Sequence, residues 1–127
     1  MQATLDSGSP IMVDYTPGSA VSAGDVIVFD NCVRIAHDDI AASRLGALGA
    51  ANGVYHVAKD SSNFSTAGGD VFWNATGNPV GGTPGSGAAT TTNTGVWIGK
   101  CVSTAGTTAT TVKAIHTITP EADLVSA

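Results

Sequence analysis

Positive charge is scarce in this sequence. Lys and Arg supply 5 of 127 residues against 10 Asp and Glu, for a net charge of −5. Arg34, Arg44, Lys59, Lys100 and Lys113 are scattered and form no run. Nucleic-acid affinity comes mainly from clustered cations that neutralise phosphates, so this composition argues against a nucleic-acid partner. Charged residues of both signs make up only 12% of the chain, about half the usual share.

Other absences narrow the field further. Glu121 is the only Glu, so no pair of glutamates can divide acid and base work. There is no Gly-x-Ser-x-Gly elbow. The longest run of bulky apolar residues is Val26 to Phe29, far short of the ~20 residues of a membrane-spanning helix. The N-terminal Met-Gln-Ala-Thr-Leu-Asp has neither the basic nor the apolar segment of a secretory signal, so the expectation is synthesis in the cytoplasm. Cys32 and Cys101 lack metal-ligand spacing, and a reducing compartment does not favour a disulfide between them. They read as two small buried hydrophobes.

What is present is Gly (16 residues), abundant Thr, and 43% apolar residues. Thr and the β-branched aliphatics favour strands, and Gly favours the turns between them. Short strand signals recur at Ile11–Thr16, Asp25–Asp30, Val33–Ala36, Gly53–Lys59, Asp70–Asn74, Gly95–Ser103 and Thr110–Ile118, with weaker ones near Ala47 and Ala88–Thr91. Residues 38–52 read as a loop with at most one short helical turn, because Gly46 and Gly49 each weaken a helix by about 1 kcal/mol. Gly77–Thr94 reads as a long Gly/Pro/Thr loop on the surface. The fold class is therefore all-β: a small single-domain β-barrel or sandwich of about seven or eight short strands with long loops.

One weak internal repeat stands out. Ser22-Ala23-Gly24-Asp25-Val26 resembles Thr66-Ala67-Gly68-Gly69-Asp70-Val71. In each, Gly can take a positive φ at a turn just before a strand. This is a device for launching strands and implies no chemistry.

The motifs that suggest chemistry fail on spacing. Gly95 to Gly99-Lys100-Cys101 has one residue too few for a phosphate-binding loop, and Cys replaces the required hydroxyl. His37-Asp38-Asp39 would need a turn to converge, since successive strand residues point to opposite faces. It reads as a solvated turn. His56 and His116 lie within strands, where packing or a local bond is the simpler role. No metal site and no cofactor follow. Asn63-Phe64-Ser65 and Asn74-Ala75-Thr76 match the glycosylation pattern, by chance in a chain without a secretory signal.

Aromatic residues are only 6% of the chain. Phe72 and Trp73 are adjacent on a strand, so one ring points to each face. One belongs to the core, and the outward ring is the best clue to an interface. Trp97 and Tyr55 complete the interface candidates.

Several segments, in order, carry a family resemblance: Asp14-Tyr15-Thr16-Pro17-Gly18-Ser19-Ala20-Val21-Ser22-Ala23-Gly24-Asp25-Val26, Leu45-Gly46-Ala47-Leu48, Gly53-Val54-Tyr55-His56-Val57-Ala58-Lys59, Gly69-Asp70-Val71-Phe72-Trp73 and Ile98-Gly99-Lys100-Cys101-Val102. Together the chain, over about residues 1–115, resembles the capsid cement (head-decoration) proteins of tailed bacteriophages and prophages. The resemblance implies a structural virion protein on the capsid exterior, bound to the major capsid protein, with a homotrimer favoured and no catalytic residue. The long Gly77–Thr94 loop and a tail from Thr117 to Ala127 depart from the usual pattern, so residues 1–116 are expected as the decorating domain and 117–127 as an extension.

Two other functions make distinct geometric demands. A small ligand- or carbohydrate-binding β-module requires Trp73, Trp97 and Tyr55 to face solvent together. An enzyme requires His37, His56 and His116 to converge on a carboxylate.

Overall fold

A computed structural model describes residues 2–29 and 31–118. Ten strands and no helix occupy the described residues: β1 (Ala3–Ser7), β2 (Ile11–Tyr15), β3 (Val26–Phe29), β4 (Cys32–Ala36), β5 (Gly46–Ala51), β6 (Val54–Ala58), β7 (Asp70–Asn74), β8 (Ala88–Thr90), β9 (Val96–Cys101) and β10 (Thr111–His116). They form a six-stranded sheet, β1-β6-β10-β9-β7-β8, and a four-stranded sheet, β2-β5-β4-β3. The all-β expectation holds, and the arrangement is a sandwich, not a closed barrel. β1 adds a strand that Thr-Leu-Asp-Ser did not signal. Residues 38–45 contain a bridge, Ile40 to Val21, and a turn, with no helical turn. Asp30, where the second strand signal ends, lies outside the described residues, as does the tail from residue 119.

The main core lies between the sheets. Val33 and Ile35 of β4 meet Tyr55 and Val57 of β6, Val71 and Trp73 of β7, Ile98 of β9, and Val112 and Ala114 of β10. Period-2 alternation aims these residues to one side of their strands. Burying each large side chain is worth roughly 1.5–3 kcal/mol. A second cluster, with Leu48, Ala36, Ile40 and Val21, covers the other face of the four-stranded sheet. Over it the rings of Tyr15 and Phe29 meet edge to face, 5.2 Å apart. Those rings come from the two edge strands, so this sheet must coil strongly on itself.

The internal repeat is one turn used twice. Asp25 N donates to Ser22 O and Gly69 N to Thr66 O, both at 3.0 Å. Gly24 has φ of 90° and Gly68 of 88°, as a type II turn requires at its third residue. In the first copy Asp25 also accepts from Ser22 N. In the second, Asp70 turns outward to Lys100.

A bulge in β9 decides which side chains share a face. Phe72 pairs with Trp97 and Val71 with Gly99, leaving Ile98 as an extra residue. Alternation is shifted by one there. Ile98 and Cys101 consequently both enter the core, and Trp97 and Lys100 both lie on the outer face. Gly99 is the residue that permits it. A Cβ there would lie 1.8 Å from the carbonyl oxygen of Ile115.

Gly77–Thr94 is more structured than its composition suggests. Gly87 N donates to Gly77 O, Asn78 Oδ1 accepts from Gly85 N, and β8 is wholly buried beside β7.

Candidate functional site

The four interface candidates are all buried within the chain: Tyr55 is 1% exposed, Trp73 2%, Phe72 6% and Trp97 8%. The adjacent pair does split between faces. Trp73 joins the core, and Phe72 lies on the outer face of the six-stranded sheet against Trp97, rings 5.7 Å apart and edge to face. Trp97 Nε1 donates to Thr117 Oγ1 at 2.9 Å. Lys100 Nζ sits 5.5 Å from the Trp97 ring centre and pairs with Asp70. The outward ring thus has neighbours of its own chain over it. Trp73, Trp97 and Tyr55 do not form the solvent-facing platform that a carbohydrate-binding module needs, and that reading falls.

Tyr55 stands between the sheets. Its hydroxyl lies 2.6 Å from His37 Nε2. The approach is possible because β5 has Gly49 there: a Cβ would come within 2.9 Å of the Tyr55 hydroxyl and 3.0 Å of His37 Nε2. Burial pushes the Tyr55 pKa up to about 12, so the phenol keeps its proton in this hydrogen bond with His37. On the other side of Tyr55, His116 lies with ring centres 6.0 Å apart. His116 Nε2 donates to Val33 O at 2.8 Å, which joins β10 to β4 across the sandwich. That bond leaves Nδ1 as the bare nitrogen, buried and without a hydrogen-bond partner. Burial lowers the His116 pKa, and the Val33 carbonyl opposes the shift.

His56 is elsewhere. It faces outward on β6, 3.0 Å from Asp6, whose other oxygen is 3.2 Å from Lys113. Asp6 reaches both because it is the bulged residue of β1, between the pairs Leu5–Tyr55 and Ser7–Val54. Hydrogen bonds from Lys113 and then His56 hold its carboxyl below the usual range. The three histidines therefore do not meet at a carboxylate, and they form no shared His/Asp site. Asp38 and Asp39 are exposed, with Asp39 accepting from Ala23 N, as a solvated turn predicts. No three His, Cys, Asp or Glu side chains gather as a metal site among the described residues. Cys101 is buried and its Sγ donates to Thr66 O, while Cys32 is half-buried.

One polar residue was overlooked in the sequence. Lys59 is 0% exposed. Its ammonium donates to the carbonyls of Asp60 (2.6 Å), Gly106 (2.8 Å) and Ala109 (3.4 Å), using all three protons, and lies 5.7 Å from the Phe64 ring centre. Its backbone adds bonds from Val80 N and to Thr110 O. Lys59 thus ties three loops to the end of β6. Period 2 held the signal, for Tyr55 and Val57 lie on one face of β6 and Lys59, the residue just past its end, continues their phase.

The polar chemistry of this chain is spent on joining its own strands and loops, which defines a small β-sandwich module with a structural role. The phage cement protein family model matches residues 7–116. The chain belongs to that family, and it is a structural, capsid-decorating virion protein of bacteriophage type. No curated protein and no solved structure matches it. No helix among the described residues is long and apolar enough to cross a membrane.

Proposed function

We propose that this protein stabilises an assembled phage head by binding the major capsid protein from outside, as a homotrimer and without catalysis. The observation that carries the reading is the family match over residues 7–116. The sandwich supports it: sheets tied by Tyr55–His37 and His116–Val33, and loops tied by Lys59, make a rigid unit with little to reorganise on binding. Residues 1–116 are the decorating domain on this account, with 117–127 an extension. Both β10 and the family match end at 116.

Phe72 and Trp97, with Trp73 and Tyr55 on the core side, serve a partner indirectly on this reading. They hold the outer face of the six-stranded sheet rigid beneath its exposed residues. The mechanism is avidity. Three small contacts in one trimer bind with effective concentrations near mM, raising affinity by factors of about 10²–10⁴. Binding the assembled shell in preference to free subunits stabilises the shell by mass action.

Co-sedimentation with expanded heads that lack their own decoration protein tests the reading. Saturable binding is expected, and binding to unassembled subunits alone would overturn it.

A further inference from the structure

The connection between β4 and β5 carries two side chains that the rest of the described chain does not use. Leu45 is 72% exposed, and among the large apolar residues described only Ile118, at their end, matches it. The guanidinium of Arg44 beside it has no hydrogen bond, ion pair or ring contact among the described residues. The other four cations are all engaged. Arg34 lies over the Phe29 ring, Lys59 is buried among carbonyls, and Lys100 and Lys113 pair with Asp70 and Asp6. Arg44 and Leu45 line a cleft of about 540 Å³ together with Asp38, Asp39, Ile40 and Gly46. Asp39 is held by Ala23 N, but the Asp38 carboxyl has no partner among the described residues.

The backbone beneath these side chains is fixed and strained. Arg44 N donates to Ala41 O at 3.1 Å, closing a turn whose third residue, Ser43, has φ of 63°. Gly24 and Gly68 hold the same place in the two repeated turns. A serine there crowds its Cβ against the backbone, and strain of this kind is retained mainly where function needs a fixed shape. Ser43 N is tied to Pro17 O at 2.8 Å, and Ile40 exchanges both backbone bonds with Val21. Ile40 also fills the space at Gly46, where a Cβ would lie 2.7 Å from its Cδ1. The loop is therefore shaped before anything binds it, which lowers the ordering cost of a contact.

An exposed arginine beside an apolar side chain on such a loop has the make-up of an interface hot spot. Charge sets the chemistry of the partner. The guanidinium fork matches a carboxylate, and Asp38 matches a cation. We infer that residues 38–45 make the contact with the shell: Leu45 enters an apolar pocket on the capsid protein, Arg44 takes a carboxylate at its rim, and Asp38 takes a cation. The inference rests on the proposed function, and the partner is the capsid protein because the family associates with capsid proteins. A second copy of this chain fits less well. Its only cation without a partner is Arg44 itself, so two copies could give Arg44 and Asp38 an ion pair each only through a two-fold contact, which stops at a dimer.

The test extends the co-sedimentation with expanded heads to Arg44→Ala, Arg44→Lys and Leu45→Ala. Far-ultraviolet circular dichroism confirms the fold, and light scattering follows self-association. Each variant is expected to fold and self-associate as wild type does, because both side chains are exposed. Arg44→Ala and Leu45→Ala are each expected to weaken head binding by about ten-fold or more. Arg44→Lys keeps the charge without the fork and is expected to fall between. Added salt is expected to weaken wild-type binding more steeply than that of Arg44→Ala, since an exposed ion pair is screened. A folded Arg44→Ala or Leu45→Ala that binds heads as wild type does would overturn the inference and leave the capsid reading standing. Equal salt dependence in wild type and Arg44→Ala would overturn it in the same way. Variants that lose self-association would overturn it too, and would give the loop to a second copy. A wild type that does not bind heads would overturn the proposed function itself, and this inference with it.

Discussion

A Cβ on Gly99 would sit 1.8 Å from the carbonyl oxygen of Ile115, because the β9 bulge presses the chain against β10 at that point. The obstacle is backbone, so it cannot swing aside as a side chain would. Gly99→Ala is expected to destabilise the fold by about 3 kcal/mol or more. Urea unfolding measures the loss, and a change under about 1 kcal/mol would show that the strand pair yields easily.

Lys59 offers a second test. Lys59→Met keeps most of the packing volume but removes the donor from three carbonyls. Buried acceptors left unpaired cost about 1–3 kcal/mol each before relaxation, so a loss of roughly 2–5 kcal/mol is expected. Lys100→Met removes an exposed pairing with Asp70 and is expected to cost less than about 1 kcal/mol. Equal losses for the two variants would contradict the role assigned to Lys59.

His116 makes stability depend on pH. Its pKa is lowered in the folded chain by burial. Below the ordinary histidine value of about 6.5 the unfolded chain therefore binds a proton that the folded chain resists. Its contribution is complete above that value and is lost as pH falls toward the lower folded value, with a slope approaching about 1.4 kcal/mol per pH unit. Arg34 and His37 add repulsion in the same direction. His116→Gln is expected to flatten the stability profile between neutral pH and about pH 5. An unchanged slope in the variant would remove His116 as its source.

Tyr55 and His37 predict a local effect. Gly49→Ala places a methyl within 2.9 Å of the Tyr55 hydroxyl and 3.0 Å of His37 Nε2. The bond between them is expected to break, at a cost of about 1–3 kcal/mol. The tyrosine absorbance titration should fall from near pH 12 toward the ordinary value of about 10 as the hydroxyl gains water. A tyrosine that still titrates near its wild-type value, with unchanged stability, would show that Gly49 is not needed for the contact.

The sequence made most strands legible where alternation was clean. Asp70–Asn74 forms β7 with the expected bounds, and the repeated Ala-Gly turn was readable from its glycines. The pairing of His116 with Val33 was not readable, since it joins residues 83 positions apart. The β9 bulge was equally hidden. Nothing local to Trp97-Ile98-Gly99-Lys100 shows that alternation shifts there, because the cause is the approach of Ile115. The interface candidates suffered from the same limit. That one ring of the Phe72–Trp73 pair points outward followed from their adjacency, but that it is Phe72, and that Trp97 covers it, depends on strand pairing. Lys59 was legible by its phase with Tyr55 and Val57 and was missed because a strand-end lysine suggests solvent.

The thermal rupture of decorated heads tests the central claim most directly. Expanded heads without their own decoration protein are heated with and without this chain, and genome or dye release marks rupture. A protein that binds the assembled shell in preference to its subunits must raise the rupture temperature, increasingly with concentration until sites saturate. A rupture temperature unchanged at saturating, verified binding would contradict the account: the chain would then decorate the shell without cementing it.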